Sequence, residues 1–216
     1  MADTPDASPL TPAEAAAFTQ SVLNVERAIA SQLASHPDRT FPITFIAQLH
    51  RNLDQVMLTQ GQEAACTPGC SHCCHARVEV SPPEAFRIAR ALQAWQQDAL
   101  SALIERLHSH VAADSEIDNW NARPACPFLS EHRCTIYEVR PGACRRAHSL
   151  DARLCETGAS QIPQDLGKLV AAEALLMGVQ AAYQAHGLEM TAQSLAKRVL
   201  LALTEAGLEA RWCSGE

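Results

Sequence analysis

The segment Cys66-Thr67-Pro68-Gly69-Cys70-Ser71-His72-Cys73-Cys74 contains four of the nine cysteines of this 216-residue chain. Eight of the nine lie between Cys66 and Cys155. Thiolate sulfur is the soft ligand that binds zinc, copper(I) or iron–sulfur clusters. Spacings of three and two residues allow one turn to direct several sulfurs at one centre. The segment therefore predicts a metal centre.

A disulfide framework is the alternative explanation for so many cysteines. It requires a secretory route and is typical of chains too small to build a core. Residues 1–17 contain no basic region followed by an apolar stretch, and no window of the sequence approaches the length of a membrane span. We therefore expect a cytoplasmic protein without a membrane partner, in which reduced thiols favour metal over disulfides. Entry into a bacterial periplasm without a recognisable signal would reverse this preference.

Length and charge limit the remaining classes of protein. With 47% hydrophobic residues the chain can bury a core without metal, and we expect a single domain over 1–216. The net charge of -7 argues against nucleic-acid binding. Positive charge is nevertheless dense near the later cysteines, at Arg133, Arg140, Arg145, Arg146 and Arg153. These arginines either form a solvated face or offset the thiolate charge around the metal. Arg140 and Arg145 are the candidates for the second role.

Apolar spacing predicts a mainly α fold, a helical bundle with an irregular cysteine-rich insert and little or no sheet. Capping boxes at Thr11 and Ser81 each open a helix, and the second follows a short extended piece at Val78–Val80. A second helix is expected from about Ile43 to Gln60, ending at Gly61. Further helices are expected around Leu100 to Val111, from Leu166 to Tyr183, and after Thr191 with Leu195, Val199, Ala202, Leu203 and Ala206 on one face. The predicted helical frame is 11–62 and 164–213, and the cysteine-cluster region is 64–158, including a helical pair at about 82–112.

Between 114 and 163 the helical periodicity disappears, and metal ligation is the expected organiser of this irregular chain. We expect Cys66, Cys70 and Cys73 to share one centre. Because a tetrahedral site uses four ligands, eight clustered cysteines indicate a second centre or a polynuclear one. Cys73 and Cys74 would diverge in extended chain and serve different metals or opposite sides of one cluster. The other predicted ligands are Cys74, Cys126, Cys134, Cys144 and Cys155, whereas Cys213 is interpreted as a lone thiol.

Several ordered blocks resemble a known family. They are Cys66-x3-Cys70-x2-Cys73-Cys74, Val78-x-Val80-Ser81 with Glu84, Cys126-Pro127-Phe128-Leu129, Cys134-x-Ile136-Tyr137-Glu138-x-Arg140-Pro141 and Cys144-Arg145. Together they are similar to the YkgJ-type cysteine-cluster family, labelled CxxCxxCC, and the resemblance implies a zinc- or iron-chelating domain over Cys66 to about Cys144. Similar blocks in flagellin lysine methylases, which are thought to carry an iron–sulfur cluster, transfer no activity to this chain.

The cofactor is expected to be an iron–sulfur cluster or zinc. The spacing of Cys66, Cys70 and Cys73 matches the three ligands of a four-iron cluster, although the strand–helix alternation of radical enzymes is absent. Gly69 to Cys73 is typical of a zinc knuckle. His72 and His75 are candidate ligands in a site where cysteines already suffice. The sequence has no Gly-rich phosphate loop, no nucleophile elbow and no His-Glu-x-x-His helix, and metal binding explains the clustered thiolates better than a cysteine nucleophile paired with His72 or His75. Two hypotheses remain: a thiolate-bound metal with a redox or catalytic task, or a helical protein-interaction module with a structural zinc.

Overall fold

The computed structural model describes residues 11–115 and 124–216, and the protein is mainly α-helical, as predicted. Two short antiparallel pairs join β1 (Glu79–Val80) to β4 (Gln193–Ser194) and β2 (Leu129–Ser130) to β3 (Arg133–Cys134). Within the described ranges, none of the helices has the length and apolarity needed to cross a membrane. The helices are α1 (Pro12–Ser35), α2 (Phe41–Leu58), α3 (Pro82–Leu92), α4 (Gln97–Ser115), α5 (Gly142–Arg146), α6 (Ala152–Glu156), α7 (Leu166–Ala185), α8 (Leu195–Thr204) and α9 (Leu208–Ser214).

Both predicted capping boxes are confirmed. In α1 the Thr11 hydroxyl accepts from the Glu14 backbone N–H, and the Glu14 carboxylate accepts from the Thr11 backbone N–H. Ser81 and Glu84 make the same reciprocal pair at the start of α3. Each pair satisfies donors that a helix start leaves without partners, so the sequence marks both starts correctly.

The first hydrophobic core lies between α1, α2 and α7, and it also contains Trp212 of α9. Buried polar groups in this core are satisfied by backbone oxygens. The Tyr183 hydroxyl donates to the Pro42 carbonyl at 2.7 Å, and the Trp212 indole donates to the Glu189 carbonyl at 2.7 Å. These bonds fix how the helices meet, because a buried donor without a partner costs free energy.

The second hydrophobic core lies between α3, α4 and α8 and extends into the cysteine-rich loops. Phe128 and Ile136 are buried in it, and Cys126 and Cys134 pack against it. The loops therefore rest on a packed helical surface.

Two helix boundaries differ from the sequence prediction. The second helix is Phe41–Leu58 and ends before Gly61, because the Thr59 N–H turns back to the Val56 carbonyl. The prediction of one final helix is wrong, since α8 and α9 are separated around Gly207, whose φ of +75° is left-handed. Glycine adopts that conformation without steric cost, so the chain can bend where the apolar periodicity continues.

The segment from 114 to 163 is largely irregular, as expected, and contains only short elements where it is described. Residues 116–123 of this prediction lie outside the described residues. Its far end is tied to the frame by the N-cap Asp165. The Asp165 carboxylate accepts from the Gln62 and Lys168 backbone N–H groups, at 2.8 and 3.0 Å. The chain entering the cysteine region thus meets the chain leaving it at the start of α7. The division of the single domain into a helical frame and a cysteine-cluster region stays a prediction.

Candidate metal centre

A tight turn carries the first cysteines. The Cys70 N–H donates to the Thr67 carbonyl at 2.9 Å around Gly69, whose φ is +91°, and a 3₁₀ turn follows at His72–His75. Because this backbone is a 3₁₀ turn, the side chains of Cys73 and Cys74 point about 120° apart rather than to opposite faces as in an extended chain. Interaction between the two neighbouring thiols lowers the pKa of Cys73 and raises that of Cys74.

The second cysteine segment is bonded directly to the first. The Cys126 N–H donates to the Cys74 carbonyl at 2.7 Å, and the Leu129 N–H donates to the Cys126 carbonyl at 2.9 Å. Leu129 then faces Cys134 across the β2–β3 hairpin. These bonds place Cys74, Cys126 and Cys134 on adjoining pieces of backbone although up to sixty residues separate them in sequence.

The hairpin turn has an unusual backbone. Its two central residues, Glu131 and His132, have φ values of 47° and 60°. Such left-handed non-glycine residues cost about 1 kcal/mol or more each. His132 Nδ1 lies 3.2 Å from the hydroxyl of Ser71, so the turn contacts the first cysteine segment and is held there.

Two short helices bring the last predicted ligands. Cys144 lies in α5 and Cys155 in α6, and α6 packs against the His72–His75 turn. The Ala65 N–H donates to the Ser149 carbonyl at 2.7 Å, so the chain just before Cys66 pairs with the link between these helices. All nine cysteines lie among the described residues, and all are free thiols.

The pKa values of the thiols reveal which cysteines are near one another. Burial is the main reason that the pKa of Cys66 is raised, and the charges of Cys70, Cys73 and Cys155 add to it. Burial likewise raises the pKa of Cys126 to about 11 and that of Cys144 to about 12, with Cys73 and Cys134 adding to both. The thiols therefore form two groups that share Cys73: one with Cys66, Cys70 and Cys155, the other with Cys74, Cys126, Cys134 and Cys144.

Backbone N–H groups also point at sulfur. The backbone N–H of Phe128 donates to the Cys126 sulfur, that of Ile136 to the Cys134 sulfur, and that of Ser149 to the Cys66 sulfur. Each of these bonds lowers the pKa of its thiol against the larger effect of burial. Such bonds favour the thiolate that a metal requires.

Arg145 and Arg140 lie beside the cysteine-rich loops. Arg145 is buried and donates to the Asp54 carboxylate, to the Arg140 carbonyl at 2.9 Å and to the Glu138 carbonyl at 2.6 Å. Arg140 lies 3.8 Å from the centre of the Tyr137 ring, and its charge opposes the rise in the pKa of Cys134 that burial causes. The role of both arginines as charge partners of a metal stays a prediction.

Sequence reasoning missed Arg106, whereas it placed His148, with His132, either next to the metal ligands or in solvent. Arg106 of α4 donates to the Pro127 carbonyl at 2.8 Å, and its charge lowers the pKa of Cys126 against burial. His148 is buried, with Nδ1 2.9 Å from the Arg146 carbonyl and Nε2 accepting from the Asp165 N–H at 2.8 Å. No local signal identifies the bond of Arg106 to Pro127 or that of His148 to Asp165, because these partners lie 21 and 17 positions away in sequence. His72 and His75 are exposed beside the first cysteines.

The residues fit a soft metal by donor chemistry, since eight reduced thiols gather on joined loops. Within residues 11–115 and 124–216, no group of three or more His, Cys, Asp and Glu side chains is arranged to hold a metal ion. Binding would therefore require the thiols to rotate or the loops to shift. The assignment of individual ligands stays a prediction.

Fold and site together define a mainly α-helical protein with a thiol-rich region of short elements and loops. Residues 65–165 match the model of the CxxCxxCC family, described as "Putative zinc- or iron-chelating domain". The match extends past Cys144, where the recognised sequence blocks end, and includes Cys155. Neither the curated proteins nor the solved structures contain a match to the chain.

Proposed function

We propose that the protein binds iron or zinc through its eight clustered cysteines, as an iron–sulfur cluster or as thiolate-bound zinc in a reducing, cytoplasmic compartment. The observation that carries the proposal is the meeting of four separate chain segments, with their free thiols, around the His72–His75 turn. Gathering eight half-buried or exposed thiols in one region, without a bond to metal or to each other, has no structural benefit that apolar side chains would not provide better.

The shared position of Cys73 favours a polynuclear centre or two adjacent ones, because each single tetrahedral site would use only four thiolates. Exposure favours a redox or catalytic task for the group around Cys66. Cys66 and Cys73 are both exposed, so a centre bound there would be within reach of an electron-transfer partner or of a substrate. The reduction potential of an iron–sulfur cluster depends on its solvent exposure and on hydrogen bonds to its sulfurs.

Anaerobic purification, with iron, zinc and acid-labile sulfide determined on the same sample, tests the proposal. We expect bound metal in every preparation, and sulfide with visible charge-transfer absorption if the centre is an iron–sulfur cluster. A fully folded, reduced and metal-free protein that also fails to take up iron and sulfide or zinc would overturn the proposal.

A helical protein-interaction module with a structural zinc is the second candidate. The packing of Cys126 and Cys134 against the second hydrophobic core favours it, because structural zinc sites are closed and join loops to a core. Zinc at one per chain, no sulfide and no change on reduction would support this candidate over the first.

A further inference from the structure

A buried carboxylate connects the helical frame to the helix that carries Cys144. Glu84 of α3 is 7% exposed, and its two oxygens accept from different elements. Oε2 accepts from the Ser81 hydroxyl at 2.8 Å and the Ser81 N–H at 3.2 Å. Oε1 accepts from the Gly142 N–H at 2.7 Å and lies 3.3 Å from His50 Nε2 of α2. The capping box explains only the first oxygen.

The second oxygen holds α5 from its first residue. Gly142 opens α5, two residues before Cys144, and a Cβ atom there would lie 2.7 Å from Leu176 Cδ2 and 3.1 Å from Leu53 Cδ1. The glycine thus allows the helix to approach the frame closely enough for its N–H to reach Glu84. Because α5 has only five residues, it has little stability of its own, and its place depends on such contacts.

Only a carboxylate satisfies both backbone donors. A glutamine at position 84 would present one acceptor oxygen and one donor NH₂, so either the Ser81 or the Gly142 N–H would face another donor. The ring of His50 is 2% exposed, and its Nε2 completes the partners of Oε1. Its Nδ1 has no partner among the described residues. Burying an imidazole nitrogen without a hydrogen-bond partner costs free energy, so the presence of His50 in the core indicates that its contact with Glu84 is needed.

We propose that Glu84, supported by His50, is a positioning residue that fixes α5 and so holds the Cys144 thiol at the metal centre. The proposal rests on the proposed function for the ligand role of Cys144. Glu84 is close enough to Cys144 for its charge to add to the effect of burial on the thiol. The frame would then influence the metal through one hydrogen bond to the backbone of a ligand-bearing helix.

The first test needs no metal. In reduced, metal-free protein the alkylation rates of Cys144 and Cys155 are measured by peptide mass spectrometry. Glu84→Gln should increase the rate at Cys144 and leave that at Cys155 unchanged. Glu14→Gln is the matched control, because it makes the same change in the capping box of α1 and should leave both rates unchanged. Equal Cys144 rates in wild type and a folded Glu84→Gln protein would overturn the proposal.

A milder variant covers the case in which Glu84→Gln fails to fold, as judged by its helical circular dichroism. His50→Leu keeps both backbone bonds to Glu84 and removes the imidazole. It should raise the Cys144 alkylation rate by a smaller factor in the same direction. No change in this folded variant would overturn the proposal.

The second test asks whether Glu84 acts through Cys144. Zinc affinity, measured by competition with a chelator, should fall about 10- to 100-fold in Glu84→Gln, the usual effect of a residue that supports a ligand. In a Cys144→Ser background, Glu84→Gln should lower zinc affinity by less than about two-fold. In a Cys155→Ser background it should lower zinc affinity by the full factor. Equal costs in both backgrounds would overturn the proposal.

The two proposals fail differently. A wild-type chain that binds no metal would overturn the metal-binding function, while the alkylation rates would still decide the positioning role. Metal binding that is insensitive to Cys144→Ser would overturn the ligand role of Cys144 and this inference, and would leave the proposed function in place.

Discussion

At the scale of single residues, the cysteines differ in environment more than in chemistry. Cys126 and Cys144 are thiols whose pKa values burial raises to about 11 and about 12, so both are protonated near neutral pH without metal. Cys66 and Cys73 are exposed, and Cys213 lies apart from all of them in α9. A metal must therefore displace protons from the inner thiols, which it does by stabilising the thiolate form.

Substitution of single cysteines separates ligands from bystanders. We expect Cys70→Ser, Cys73→Ser and Cys144→Ser to lose most of their metal, because a protonated hydroxyl does not replace a soft thiolate. Cys213→Ser should retain the wild-type content. Metal per chain after identical anaerobic purification is the measurement, and equal content in all five proteins would refute the ligand assignment.

A second prediction concerns pH and His50. Burial lowers the pKa of His50. The neighbouring Glu84 raises it, but the net shift is downward, so the folded protein favours the neutral ring. Below the unfolded value of about 6.5 the unfolded chain binds the proton first. The contribution of His50 to the free energy of unfolding is therefore fully present above that pH. It decreases as the pH falls below that value, by at most about 1.4 kcal/mol per pH unit.

His50→Gln should remove this part of the pH dependence, because its amide can still donate to Glu84 but does not titrate. Urea unfolding of the metal-free protein from about pH 5 to 8 gives the free energy of unfolding. His36→Gln, at an exposed histidine, is the control and should keep the wild-type slope. Identical slopes in wild type and His50→Gln would show that His50 does not contribute.

At the scale of elements, α7 packs against α1 at a glycine, Gly178. A Cβ atom at Gly178 would lie 2.5 Å from the Cβ of Val25 and 2.9 Å from the Val22 carbonyl oxygen. One of these neighbours is backbone, so it has little freedom to move. The absence of a side chain at this position sets the distance between the two helices.

Gly178→Ala should therefore destabilise the protein by about 1–3 kcal/mol, the usual cost of overpacking, although alanine is the better helix former. Gly167→Ala in the first turn of the same helix meets only the Asp165 carboxylate at 3.3 Å and should be neutral or stabilising. Urea unfolding of both variants is the measurement. A Gly178→Ala protein as stable as the control would show that the helices separate without cost.

At the scale of the whole molecule, two hydrophobic cores support one cysteine-rich surface. The helices bury their apolar faces against each other, and the loops lie on the second core through Phe128 and Ile136. Metal is therefore expected to order the loops more than the helices, because the helical cores do not depend on it.

Chelation should increase hydrogen exchange between Cys66 and Cys74 and across residues 124–163, while α1, α2 and α7 keep their protection. Hydrogen exchange of the metal-loaded protein with and without chelator measures this difference. Helical circular dichroism should fall little. A uniform loss of protection in every helix would mean that the whole fold requires metal.

Much of the fold and of the candidate site follows from local sequence. The capping boxes at Thr11 and Ser81 mark helix starts because their hydrogen bonds join residues three apart. The cysteine spacing identifies the chemistry of the region for the same reason: thiol type and local spacing are properties of the chain itself. The split between α8 and α9 was not evident, since apolar periodicity continues across Gly207.

By itself the sequence determined that this protein is mainly helical and that its cysteine-rich part matches a family model over residues 65–165. Tertiary structure alone decided the partners: Cys126 with Cys74, Arg145 with Asp54, and Glu84 with Gly142. These contacts join residues 52 to 91 positions apart, as with Cys74 and Cys126 or Asp54 and Arg145. The physical reason is that such hydrogen bonds depend on how the helices pack, and no local spacing records that packing.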